Sequence, residues 1–350
     1  MKDGRAGVGL VVSASGAIPR SAIDAIVGDM TLYEFGVTGT ENLIVGSARM
    51  LEEAARIVYS NLASELQAAT RWLDHLGIAY SATRFGRYRK TLNELESARL
   101  AGINLYDAAS ELSAFASLFE ANELVTIHQS LAGKKLDMYL RPKLKELVSG
   151  PYSYVDENAS SSNKARNTGF ELAVIASLAT AGLSIRQDGG VSDVVAQLGS
   201  TTVIVECKRP QSESGIHRAI TDASYQLAKR YRKARSGATG FIALDLTKLS
   251  NPNLSVTSDM RRSEIVSLIR QRMESLVKNY ANSWNSVREE QTAGVLLRIS
   301  VLAWTKEDRT MSWIHKSGIT PLVGRREVRV GVVRAVQQAV DQAVMLGASS

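Results

Sequence analysis

The sequence predicts a chain of two parts: an all-α N-terminal half over residues 1–150, then an α+β half over residues 160–350 in which a mixed β-sheet is flanked by helices. Three observations predict it. Apolar residues recur every three or four positions through most of the first half, the period of a helix with one buried face. From Ala165 onward, helical stretches alternate with short apolar runs bounded by glycine. The charge also changes sign between the halves: residues 1–150 carry 16 Lys and Arg against 17 Asp and Glu, and residues 151–350 carry 26 against 18. With 350 residues, 45% hydrophobic and 22% charged, the chain is long enough for two domains.

Residues 1–45 leave their structure open: Val8–Val12 suits a short strand and Ser21–Phe35 a helix capped by serine. The opening apolar run is short, broken by glycine and preceded by Asp3, so it does not read as an export signal. From Gly46 to His75, Leu51, Ala55, Val58, Leu62, Leu66, Ala69 and Leu73 step by three and four, predicting one long amphipathic helix that Gly77 stops. Further helices are expected around Lys90–Leu100, Asn104–Phe119 and Lys135–Val148, punctuated by Gly86, Gly102 and Gly133. Such stripes name no chemistry. They suit bundle core or a homodimer surface, and a regulatory, oligomerising or substrate-selecting role.

Residues 149–163 are rich in Gly, Ser and Asn, which sets the expected domain boundary. Ala165–Ala181 reads as a helix with Glu171, Ile175 and Leu178 on one face and Gly182 as its stop. Leu183–Gln187, the turn Asp188-Gly189-Gly190, Val191–Leu198, the turn Gly199-Ser200 and Thr202–Lys208 then read as an antiparallel meander. Ile216, Ala219, Ile220, Ala223, Leu227 and Tyr231 mark the next helix, and Thr239–Leu246 the next strand. A crossover helix between them should set that strand parallel to Thr202–Lys208. A long helix over Ser258–Trp284, strands over Val295–Trp304 and Met311–His315, and a closing helix over Glu327–Leu346 complete the expectation.

The run Thr202–Lys208, TVIVECK, carries the chemistry. Alternation puts Glu206 and Lys208 on one side of this strand, about 6.6–6.8 Å apart along it. Charge on an otherwise apolar strand is costly unless paired or bound to metal. Asp193 stands thirteen residues before Glu206, early in the neighbouring strand. Two carboxylates brought together repel unless a cation lies between them, and hard oxygen donors favour Mg²⁺ or Mn²⁺. Residues 208–235 add eight Lys and Arg against Glu213 and Asp222, the footprint of a polyanion binder. Lys229, Arg230 and Lys233 are the candidate nucleic-acid contacts on that helix, with His217 at its start. His75, His128 and His315 are dispersed and read as packing or surface residues. The one cysteine, Cys207, excludes an intrachain disulfide and every multi-cysteine zinc module, and fits a reducing cytoplasm. No run approaches the roughly 20 apolar residues that cross a bilayer.

Glu171, then Ser192-Asp193, then Glu206-Cys207-Lys208, followed by a helix bearing Gln226, resembles the PD-(D/E)xK nuclease superfamily over residues 163–246. Ser192 stands where the motif has proline, and Tyr231 follows Gln226 by five positions. The resemblance implies a restriction-endonuclease-like mixed sheet flanked by helices and a DNA endonuclease dependent on Mg²⁺ or Mn²⁺, leaving a 5′-phosphate and a 3′-hydroxyl; RNA is not excluded. It implies that Asp193, Glu206 and the Cys207 carbonyl bind the metal, with Lys208 orienting the attacking water. Glu171 would support the metal's water shell or a second ion, and Gln226 would steady the strand or the carboxylates. The competing readings are a non-catalytic nucleic-acid-binding module on the same fold, and a helical scaffold that recruits a partner. Taken singly, Glu206 and Lys208 are an ordinary strand-end ion pair, Asp193 a turn carboxylate and Glu171 an exposed helix residue.

Overall fold

In a computed structural model of the protein, one mixed sheet is covered on both faces by helices. The structure describes residues 59–337 apart from 102–111, 135–136, 153, 155–156, 158–162, 187–192, 233–236, 253–255, 286, 288–290, 306–310 and 323–330. The elements expected within residues 1–45, the Asp188-Gly189-Gly190 turn, Ser192 and Lys233 lie outside the described residues.

Among the described residues four helices come first: α1 (Tyr59–His75), α2 (Arg84–Leu100), α3 (Leu112–Leu131) and α4 (Asp137–Val148). Gly77 ends α1 as expected: at φ 65° it lets the Ile78 N–H reach back to the Leu73 carbonyl at 2.9 Å, closing the last turn. The third helix runs on past Phe119 to Leu131, because Leu124, Val125, Ile127 and Leu131 extend its buried side. Arg84 of α2 and Arg166 both pair with Glu120 of α3, all three buried. Arg84 also donates to the Leu147 carbonyl and Arg166 to the Pro151 carbonyl, so the charges are spent on fastening helix ends.

Next come α5 (Lys164–Thr180), the meander β1 (Ser184–Ile185), β2 (Val194–Leu198) and β3 (Thr201–Lys208), then α6 (Gly215–Tyr231) and β4 (Ala238–Asp245). β2 is antiparallel to β3, with Val194 opposite Val205, and β4 is parallel to β3, with Glu206 opposite Ile242. A four-residue helix α7 (Thr247–Ser250) leads to β5 (Val256–Met260), α8 (Arg262–Asn279), α9 (Ala281–Asn285), β6 (Thr292–Thr305) and β7 (Met311–Pro321), and residues 331–337 are helical. One difference from expectation stands here: Ser258–Met260, expected to open the long helix, end a strand over Val256–Met260. The fourteen-residue β6 outruns β4, and β5 fills the vacant end of the same edge, with Val256 opposite Leu302. The helix therefore starts at Arg262, where the Glu264 carboxylate accepts the Arg261 N–H at 2.7 Å.

Side-chain alternation divides the core. Val203, Val205 and Cys207 face a layer made by α1–α5, joined there by Val194, Ala196, Phe241 and Ala243. Ile204, Ile242 and Leu244 face the other layer, made by α6 and α8. The helical half is thus the cover of one sheet face, continuous with the core of α1–α4. Among the described residues no helix is long and apolar enough to cross a membrane.

Candidate active site

The site is built where β2 begins and β3 ends. Asp193 immediately precedes β2, and extending the register by one from Val194 and Val205 sets it opposite Glu206. Its side chain turns along β3: Oδ2 accepts the Cys207 N–H at 2.7 Å and stands 3.8 Å from Lys208 Nζ. Three residues separated by a hairpin are thereby drawn together. Glu206 is 1% exposed and its Oε1 lies 3.3 Å from Arg230 Nε of α6. Glu171 approaches from α5 and is bound by Lys143 of α4. Tyr139, one turn before Lys143, donates to the Asp193 carbonyl at 3.4 Å.

Three carboxylates therefore meet three cations, each pair distinct: Glu171 with Lys143, Asp193 with Lys208, Glu206 with Arg230. Burial pushes the Glu206 carboxyl up to about 8, helped by the charge of Asp193 and opposed by Lys208 and Arg230. Burial and Asp193 likewise raise Glu171, with Lys143 and Lys208 opposing. Burial works against the Lys143 ammonium, yet Glu171, with Tyr139 and Asp193, outweighs it and the lysine is held above its ordinary value. The Cys207 thiol is pushed up by burial and by Asp193, Glu171 and Glu206, which leaves it a protonated, inert packing group.

As the side chains stand, no group of three or more His, Cys, Asp or Glu among the described residues could hold a metal ion. Mg²⁺ asks for less, since it is bound through one or two carboxylates and keeps several waters. Asp193, placed opposite Glu206 by the β2–β3 register, and Glu206 supply two hard oxygen donors, each with a cation beside it. The residues present fit such an ion.

Of the remaining expected residues, Gln226 lies one turn before Arg230 on α6, and its Oε1 is buried without a hydrogen-bond partner. His217 lies thirteen residues before Arg230, about 20 Å along the helix, and its Nδ1 stands 3.0 Å from Ser283 Oγ. It is not part of this cluster. Lys229 is exposed, with its Nζ 5.0 Å from the centre of the exposed Tyr225 ring.

Sequence reasoning missed Lys143, Tyr139 and the support behind Lys208. Arg209 turns inward, with Nη1 3.0 Å from Glu157 Oε1 and Nε 3.1 Å from Asp245 Oδ2 at the end of β4. Glu157 belongs to the stretch read as a boundary, and Tyr154 of that stretch is also buried, its carbonyl accepting from Lys248 at 2.9 Å. The order of the helices and strands carried no signal for these partners. Comparison with protein-family models, with curated proteins and with solved structures finds no match to this chain.

Proposed function

We propose that the chain is a metal-dependent deoxyribonuclease that cuts within DNA. The observation that carries the reading is the β2–β3 register, which extended by one residue sets Asp193 opposite Glu206, with Lys208 beside Asp193. That is what the resemblance to the PD-(D/E)xK nucleases requires of residues far apart in sequence. Asp193, Glu206 and the Cys207 carbonyl would hold Mg²⁺ or Mn²⁺, which supplies charge to polarise a phosphodiester and to acidify water. Lys208 orients the attacking water and offsets charge developing on the phosphate. The water oxygen joins phosphorus, the bond to the 3′ oxygen breaks, and that oxygen takes a proton, leaving a 5′-phosphate and a 3′-hydroxyl. Half-buried Gln226 steadies the face of α6 that bears Arg230, and the exposed Lys229 meets the DNA backbone. The single cysteine fits the reducing cytoplasm in which such an enzyme would act on intracellular DNA.

A second reading, a binding module without turnover, draws on the closure of every carboxylate by its own cation. Linear and circular DNA and RNA, incubated with Mg²⁺, Mn²⁺ or chelator, separate the two. The nuclease reading expects cleavage with metal, none with chelator, and a loss of at least about a hundredfold in Asp193→Asn and Lys208→Met. Equal cutting by either variant would overturn it. Salt-sensitive binding with no product under any metal would favour the module.

A further inference from the structure

We propose that Lys143 is a phosphate-binding residue of the active site, held in reserve by Glu171, so that α4 of the helical half belongs to the site itself. This rests on the nuclease reading and deepens it. α4 already has a packing face in Leu140, Leu144 and Leu147, all fully buried. Tyr139 and Lys143 form a neighbouring stripe: Tyr139 reaches the start of β2 and Lys143 reaches Glu171 of α5. Tyr139 donates to the Asp193 carbonyl, and Lys143 grips Glu171 while also feeling the charge of Asp193. Its ammonium lies 5.9 Å from the Tyr139 ring centre, so the two side chains are neighbours.

The Lys143–Glu171 pair is neither sealed nor free. The side chains are 19% and 17% exposed, so the salt bridge can be reached by a ligand but is poorly screened. Breaking it without replacement would strand two charges in a partly dry site. Exchange lessens that cost: a backbone phosphate takes the ammonium while Glu171 keeps the Lys208 ammonium nearby. Charge-assisted phosphate contact is what a lone ammonium on a flexible stem does well. Glu171 and DNA therefore compete for one lysine.

The competition is tested with full-length protein in EDTA, by the fluorescence anisotropy of a short labelled DNA duplex. Glu171→Gln frees the lysine and should tighten binding about fivefold, whereas Lys143→Met should weaken it about tenfold and lower the salt slope by about one. The double variant should bind like Lys143→Met, because the effect of Glu171 passes through the lysine. Lys143→Arg should keep the affinity, and thermal melting of each variant separates this from a loss of fold. An unchanged affinity in Glu171→Gln, or an unchanged salt slope in Lys143→Met, would reduce the pair to a clamp between α4 and α5 and overturn the proposal alone. A parent chain that neither binds nor cuts DNA would overturn the nuclease reading with it.

Discussion

Replacing Arg209 by Met keeps the length of the side chain and removes a charge that serves two buried carboxylates. Glu157, Arg209 and Asp245 are all at most 8% exposed, so water screens little of the interaction. Asp245 would retain Arg298 nearby and the Thr247 N–H at 3.0 Å. Glu157 has no second ion-pair partner within 4.0 Å among the described residues, so one buried carboxylate is stranded. Breaking a buried pair in this way costs about 3–5 kcal/mol, which lowers Tm by on the order of 10 °C for a chain of this size. The pH dependence has a definite sign. Burial alone would raise Asp245, but Arg298, Arg209 and Thr247 outweigh it and hold its carboxyl below 3.8. A depressed carboxyl adds stability above its unfolded value and loses it as pH falls through the folded value. Arg209 supplies part of that depression, so the gap between parent and variant should narrow as pH is lowered from 7 to below about 4. Urea unfolding of parent, Arg209→Met, Glu157→Gln and the double variant measures the coupling directly. The double variant should recover at least half of the loss. A single variant within about 1 kcal/mol of the parent at pH 7, or strictly additive losses, would refute the reasoning.

Further expectations concern the carboxyl opposite Asp193 and the packing behind it. Since the Glu206 carboxyl is pushed up to about 8 against 4.5 for the free group, the folded protein without metal holds a proton there that the unfolded chain has lost. Its contribution to stability is complete below 4.5 and is lost as pH rises to about 8, so across that window the parent should lose stability relative to Glu206→Gln in chemical denaturation. Mg²⁺ binding at pH 7 should release a proton, visible as a dependence of the calorimetric heat on the buffer's ionisation enthalpy; heats that ignore the buffer would refute it. Gly240 of β4 faces Tyr231, and a Cβ there would stand 1.8 Å from the tyrosine hydroxyl. Gly240→Ala must displace a ring that bonds Thr292 at 3.1 Å, costing about 2–4 kcal/mol in urea unfolding, and Tyr231→Leu in the same chain should return part of it. Glu120→Gln, which removes the counter-charge of Arg84 and Arg166, should cost about 3–5 kcal/mol by the same assay.

What could be read from the sequence followed the range of each signal. TVIVECK declared both its strand and its two faces, and α6 declared its apolar stripe, because alternation and helical period are local properties. The hairpin that opposes Asp193 to Glu206 could be anticipated from Gly199, which turns at φ 57° between β2 and β3. Lys143 could not, since it meets Glu171 only after α4 folds against α5, and no spacing announces a partner 28 positions away. Arg209 looked like one more charge in a basic run, yet it is buried, because its partners come from a loop and from the end of β4. The sequence places Ser258–Met260 of β5 in a helix because a lone edge strand of five residues shows its identity only beside the overhang of β6.

The layer that α1–α5 lay over one sheet face has a consequence for anyone dissecting the protein. A fragment beginning at residue 160 would keep α5 on the sheet but lose α1–α4, baring to water Trp313, which packs against Phe119, and the side of α5 that packs against α3 and α4. Such a piece would clump before it could be assayed, and silence from it would say nothing about catalysis.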